Sequence, residues 1–237
     1  MLKDRKIVKS LLIDYLKKNG YQLSKDIREH HALDSIKATY INSGGNLDNI
    51  KIEIYYMLRV HIYEPVIVKT KNYGLIGVVE TRTVDPIEIF GSKLVALMAR
   101  STPRDLYDFF YMINTKIFNE VEIKKIKRCA VFYRAISNED GMFDFNLDNL
   151  DSITQNNIKR FLIPVINAKE FFSLPEAKQA INDFFNTHFV LDKNESMFIE
   201  QFKRKKYIPE LLYDGDELKR IQNHPMAIWK TREIKKS

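Results

Sequence analysis

The 237-residue chain holds one cysteine, one tryptophan, eight glycines and seven prolines. A single thiol, Cys129, excludes a disulfide framework and any zinc site built on cysteines. The longest apolar runs, such as Leu94 to Ala99, fall far short of the roughly 20 residues that a membrane span requires. No apolar leader-like segment follows Met1, so a reducing, cytoplasmic setting is expected. The five histidines form no cluster with metal-ligand spacing and are read as structural. There is no internal repeat and no low-complexity segment. What remains is a chain 45% apolar and 29% charged, enough to bury a core of its own. Its 38 Lys and Arg against 31 Asp and Glu give a net charge of +7, which favours an acidic partner such as a nucleotide or nucleic acid.

Leu2 to Lys18 places apolar residues at spacings of three and four and stops at Asn19-Gly20, which predicts an amphipathic helix. Short segments rich in Ile, Val, Tyr and Thr follow, between Tyr21 and Thr83, separated by turn chemistry at Ser43-Gly44-Gly45-Asn46 and Lys71-Asn72-Tyr73-Gly74. They predict an antiparallel or mixed sheet. From Asp85-Pro86 onward the periods are helical, so the layout reads as α+β, with a sheet and one helix over residues 1–84 and a helical domain over 85–237. The last 35 residues carry ten Lys or Arg against five acids, including the run Lys203-Arg204-Lys205-Lys206. A solvated helix end and a nucleic-acid contact surface both fit that run.

Ile50 to Arg59 alternates, setting Lys51, Glu53 and Tyr55 on the face away from the core. Glu53 is thus a mid-strand carboxylate, suited either to an ion pair with a cross-strand lysine such as Lys37 or to holding a metal. In Ile87 to Asp108, Lys93 and Arg100 share the polar side of one helix. Thr102-Pro103-Arg104-Asp105 then starts the next, with Thr102 as N-cap and Asp105 closing a capping box. Asp108 has no capping task. An i,i+4 pair with Arg104 is its bland role, and a metal or general base the alternative. Lys93, Arg100 and Arg104 near a helix start would suit a triphosphate.

Phe90-Gly91-Ser92-Lys93-Leu94-Val95-Ala96-Leu97 followed by Arg100-Ser101-Thr102-Pro103-Arg104-Asp105-Leu106-Tyr107-Asp108 resembles the lysine and Arg-Asp-x-Tyr-Asp motifs of the AbiEii toxin family of nucleotidyltransferases. Lys51-Ile52-Glu53-Ile54 is similar to that family's acidic strand. Lys127 to Arg134, Arg160 to Pro164 and His224 to Lys230 look like its helical C-terminal half. The resemblance implies a partial polymerase β-type core and magnesium-dependent transfer of a nucleotide from NTP to RNA, with tRNA as an acceptor, by the toxin of a type IV toxin–antitoxin system. It implies Glu53, Lys93, Asp105 and Asp108 as catalytic, Glu53 as metal carboxylate, and Lys51, Lys93, Arg100 and Arg104 as substrate-binding. A winged-helix antitoxin would be the partner, with no membrane involved.

The family's Gly-Ser followed by Asp-x-Asp, which supplies two of three metal carboxylates, is not found in this sequence. Gly91-Ser92 falls in a predicted helix, and Asp214-Gly215-Asp216 reads as a turn capping the next helix. A truncated chain, a split gene or an eroded paralogue would each account for this, with impaired magnesium binding. The competing reading is a catalytically inactive nucleotide- or RNA-binding remnant of the same family. A restriction-type nuclease fits worse, because Lys51-Ile52-Glu53 runs opposite to acid-x-Lys. Glu53, Lys93 and Asp108 are expected to meet at one cleft.

Overall fold

The computed structural model describes residues 2–24, 28–29, 33–72, 77–137, 143–167 and 171–232. The α+β layout read from the sequence holds, in two compact units, Met1–Val60 and His61–Ser237. The division falls ahead of the composition change at residue 84, so the second strand pair groups with the helices.

In the first unit, α1 (Leu2–Lys18) precedes β1 (Gln22–Leu23), β2 (Arg28–Glu29), β3 (Leu33–Ile41) and β4 (Leu47–Tyr55). β3 is the central strand, antiparallel to β1 and β2 along one side and to β4 along the other. The β3–β4 turn is closed by Asn42, whose Oδ1 accepts from the Gly44 and Asn46 N–H groups at 3.0 and 3.1 Å, with Gly45 at φ 77°. Ile36 and Ala38 are fully buried with Leu16, while Leu12, Ile13 and Ile52 pack around them. The apolar periodicity of α1 overstates its buried face: Ile7, Val8, Leu11 and Tyr15 are exposed. A single sheet layer covers one stripe of a helix, and the residues flanking that stripe stay in water. Among the described residues β4 pairs with β3 alone and is an edge strand, and Leu47, Ile50 and Tyr55 on it are exposed.

The second unit opens with the hairpin β5 (Val66–Lys69) and β6 (Glu80–Thr83), then α2 (Pro86–Arg100), α3 (Pro103–Thr115) and α4 (Glu120–Ser137). After a 3₁₀ turn (Asp148–Ser152) come α5 (Gln155–Phe161), α6 (Leu174–His188), α7 (Lys193–Lys203), α8 (Gly215–Ile221) and α9 (Pro225–Thr231). Asp85 starts α2 by accepting from the Ile87 N–H at 2.8 Å, with Pro86 in the first turn. α4 is the axis of this unit. Its Ile126 and Ala130 join the core of α2, α3 and α6, while Phe132, Ala135 and Ile136 join a second core with Phe198, Phe202, Tyr213 and Ala227. No described helix is long and apolar enough to cross a membrane.

Gly91 lies on α2 where that helix meets α4. A Cβ added there would sit 2.4 Å from the Cβ of Cys129 and 3.2 Å from the Ile126 carbonyl oxygen. Neither neighbour is the end of a flexible side chain, so the helices would have to separate. Gly91→Ala is expected to destabilise the chain by about 1–3 kcal/mol despite the higher helix propensity of alanine. Denaturant unfolding measures this, and an unchanged midpoint would show that the α2–α4 contact yields without cost.

Candidate functional site: an arginine-lined helical hairpin

Only two residues, Ser101 and Thr102, join α2 to α3. Ser101 adopts left-handed backbone angles (φ 44°, ψ 56°), which cost a side-chain-bearing residue about 1 kcal/mol. It is 5% exposed, and its Oγ donates to the Leu97 carbonyl at 2.6 Å. Thr102 caps α3 through its Oγ1, which accepts from the Asp105 N–H at 3.3 Å. The reciprocal half of the expected capping box is replaced: the Thr102 hydroxyl donates to Asp105 Oδ2 at 2.6 Å, and Arg100 grips both carboxylate oxygens at 2.8 and 2.9 Å. Asp105 is buried, and burial pushes its carboxyl up. The hydrogen bonds from Arg100 and Thr102 and the Arg100 charge outweigh that, so it lies below the ordinary carboxylate value.

Lys93 Nζ pairs with Asp108 Oδ2 at 2.5 Å, with side chains 35% and 38% exposed. Asp108 therefore takes its partner from the neighbouring helix rather than from Arg104 at i−4. Arg104 is exposed and, among the described residues, has no ion-pair or hydrogen-bond partner for its guanidinium. A cavity of about 590 Å³ opens beside the turn, lined by Arg100, Thr102 and Arg104 from the hairpin and by Ser152, Asn157 and Phe161. Lys93 and Asp108 lie outside its wall; Lys93 is seven residues, or about 10 Å, along α2 from Arg100. The hairpin thus unites Lys93, Arg100, Arg104, Asp105 and Asp108 on one supersecondary element.

Glu53 belongs to the first unit. Its carboxylate pairs with Lys51 of the same strand at 2.5 Å, and it faces Ser35 across the ladder; Lys37 lies opposite Lys51 instead. The cross-strand pair with Lys37 is replaced because side chains two apart on one strand share a face. Three carboxylates free to hold magnesium are not provided by these residues. Lys51 engages Glu53, Arg100 and Thr102 engage Asp105, and Lys93 engages Asp108. Among the described residues no group of three or more His, Cys, Asp or Glu could hold a metal ion.

Three buried carboxylates escaped the sequence reading: Asp34, Glu88 and Glu195, the last 2% exposed on α7 and paired with Lys127 at 2.9 Å. Asp34, fully buried on β3, accepts from Arg5 and from the Tyr56 hydroxyl at 2.8 Å; the Arg5 hydrogen bond leads in holding its carboxyl below the ordinary value against desolvation. Glu88, 2% exposed on α2, accepts from the Tyr133 hydroxyl and from the Tyr63 N–H at 3.1 Å, and lies 3.1 Å from His61 Nδ1. Of the other histidines, His188 pairs with Glu120 at 3.5 Å and His224 caps α9; His30 and His31 lie outside the described residues. Gly91 and Ser92 are helical, and Asp214 occupies the N-cap position of α8 without a side-chain capping bond.

Because the pKa of Asp105 is depressed, the stability it contributes is present above the unfolded value near 3.9 and is lost as pH falls through the folded value. Asp105→Asn is expected to lower stability at pH 7 by about 1–3 kcal/mol and to flatten the acid limb of the stability curve below about pH 4. Thermal unfolding from pH 2 to 7 tests this; parallel curves for both proteins would remove Asp105 as a source of the acid sensitivity.

A family model described as nucleotidyl transferase AbiEii toxin, type IV TA system, matches residues 5–198. That span includes Lys51, Glu53 and the whole α2/α3 hairpin and stops before His224 to Lys230. Comparison with curated proteins gives no match, and comparison with solved structures gives none either. With most of its length matched by that model, the chain belongs to the AbiEii nucleotidyltransferase toxin family of type IV toxin–antitoxin systems.

Proposed function

We propose that the α2/α3 hairpin is the nucleotide grip of a toxin that transfers a nucleotide from NTP to RNA in the cytoplasm, with the acceptor end of tRNA as the expected acceptor. The observation that carries this reading is the Lys93–Asp108 pair, held across two helices yet open to water, beside an arginine with no partner among the described residues. An exposed pair of this kind contributes at most about 1 kcal/mol. A triphosphate carrying several negative charges therefore displaces Asp108 from Lys93 at little cost. Arg104 and Arg100, at the positive start of α3, neutralise further phosphate charge. Asp108, released from Lys93, can take up at Oδ2 the proton of the attacking RNA hydroxyl as the hydroxyl oxygen bonds to the α-phosphorus and pyrophosphate departs. Asp105 holds Arg100 in position rather than touching the substrate. A separately encoded winged-helix antitoxin is the expected regulator.

A second reading, a nucleotide- or RNA-binding protein without transfer activity, is favoured by one observation: each of Glu53, Asp105 and Asp108 is engaged by a neighbouring cation. The assay that separates the two is incorporation of radiolabelled NTP into total tRNA with magnesium present. Incorporation that disappears in Lys93→Ala supports transfer. Absent incorporation with retained, Lys93-dependent NTP binding supports the second reading. Magnesium-dependent NTP binding lost in Glu53→Ala would add Glu53 to the site.

Arg104→Ala is expected to weaken NTP binding at least tenfold, as loss of a charge-assisted contact does, while leaving the melting temperature within about 2 °C. A large drop in melting temperature at unchanged NTP affinity would make Arg104 a structural residue and remove it from the grip.

A further inference from the structure

Beyond residue 198, where the family match ends, the chain builds a surface of a different kind. α7 closes with paired reverse bonds, Lys205 N–H to the Phe202 carbonyl at 3.0 Å and Lys206 N–H to the Gln201 carbonyl at 2.9 Å. This closure puts Lys205 in the left-handed region, φ 62°, a position where glycine is the usual solution. A lysine held there keeps four consecutive cations, Lys203 to Lys206, exposed around the end of α7. Only Arg204 among them has an acidic partner, Glu200 at 2.5 Å, among the described residues. Lys205 Nζ donates to the Lys230 carbonyl at 3.1 Å, which fixes the run beside the end of α9. There Trp229, the only tryptophan, is 51% exposed with the Lys230 ammonium 5.3 Å from its ring centre, and Arg232 is exposed just beyond.

We propose that this surface binds an unpaired RNA segment, with Trp229 stacking on one base and Lys203, Lys206 and Arg232 meeting the flanking phosphates. Cations arranged around one open aromatic face are the elements of sequence-tolerant single-strand binding. A duplex offers no unstacked base to such a face. A lipid surface would also attract the cations. It would further need a broad apolar face on a longer helix, whereas α9 has seven residues and a single large exposed apolar side chain. The choice of RNA over DNA rests on the proposed transfer to RNA; the binding geometry does not require the hairpin at all.

The test uses the full chain without NTP. Emission from the single tryptophan is followed as an unstructured RNA 20-mer is added, with single-stranded DNA of the same sequence and phosphatidylglycerol vesicles as separate arms. RNA is expected to quench the emission, and Trp229→Ala to weaken binding of labelled RNA about tenfold. Replacing Lys203, Lys206 and Arg232 together with glutamine is expected to reduce the slope of log affinity against log salt by about 2. Lys205→Gly relieves the backbone but removes a charge and the bond to the Lys230 carbonyl, so it is expected to leave the melting temperature within about 2 °C while weakening RNA binding. Unchanged emission with RNA, a blue shift with vesicles alone, or tighter binding of DNA than of RNA would each overturn the assignment. NTP affinity measured on the same variants keeps the two proposals apart, because these substitutions leave the hairpin intact.

Discussion

The bidentate grip of Arg100 on Asp105 is the interaction on which the hairpin depends. Two residues make the connection between α2 and α3, and the left-handed backbone of the first, Ser101, is where the chain changes direction. Arg100, Thr102 and Ser101 hold the turn shut from three directions: guanidinium to carboxylate, hydroxyl to carboxylate, and hydroxyl to the Leu97 carbonyl of α2. With the turn fixed, Lys93 of α2 meets Asp108 of α3. A looser connection would let α3 rotate, and the cations of the two helices would no longer share one side.

Much of this was legible in the sequence because the signals are local. Asp85-Pro86 and Thr102-Pro103 marked helix starts, the Asn42 to Asn46 turn followed its glycines, and helical periodicity placed Lys93 and Arg100 on the polar side of α2. The pairings were not legible. A rule written for one isolated helix assigned Asp108 to Arg104, but the neighbouring helix offered a lysine from 15 residues upstream. Glu53 chose Lys51 over Lys37 because the strand places both members of the first pair on one face, while the register sets Lys37 against Lys51. Asp34 and Glu88 were missed for the same reason in stronger form: their partners stand 29 and 45 residues away, and nothing in a linear pattern marks a carboxylate as buried.

α4 explains why the second unit tolerates a single long helix at its centre. Its small residues, Cys129 and Ala130, face the close approach of α2 at Gly91, and its large ones, Phe132 and Ile136, fill the opposite core. Cys129 is enclosed completely, and that desolvation pushes its thiol well above the ordinary value. It packs as a small, buried side chain facing Gly91 of α2. Its neighbour Tyr213, whose hydroxyl lies 3.7 Å from the sulfur, is similarly enclosed.

The exposed strand β4 also bears on how the protein behaves at high concentration. Nine residues of edge offer an unbroken ladder of peptide groups, and Leu47, Ile50 and Tyr55 make it adhesive. Asp48, Lys51 and Glu53 are the charges on this strand, and with Lys51 and Glu53 paired to each other they sum to −1. An exposed edge with so little net charge is open to strand addition by a second molecule, in the intact chain as much as in a fragment ending near residue 60.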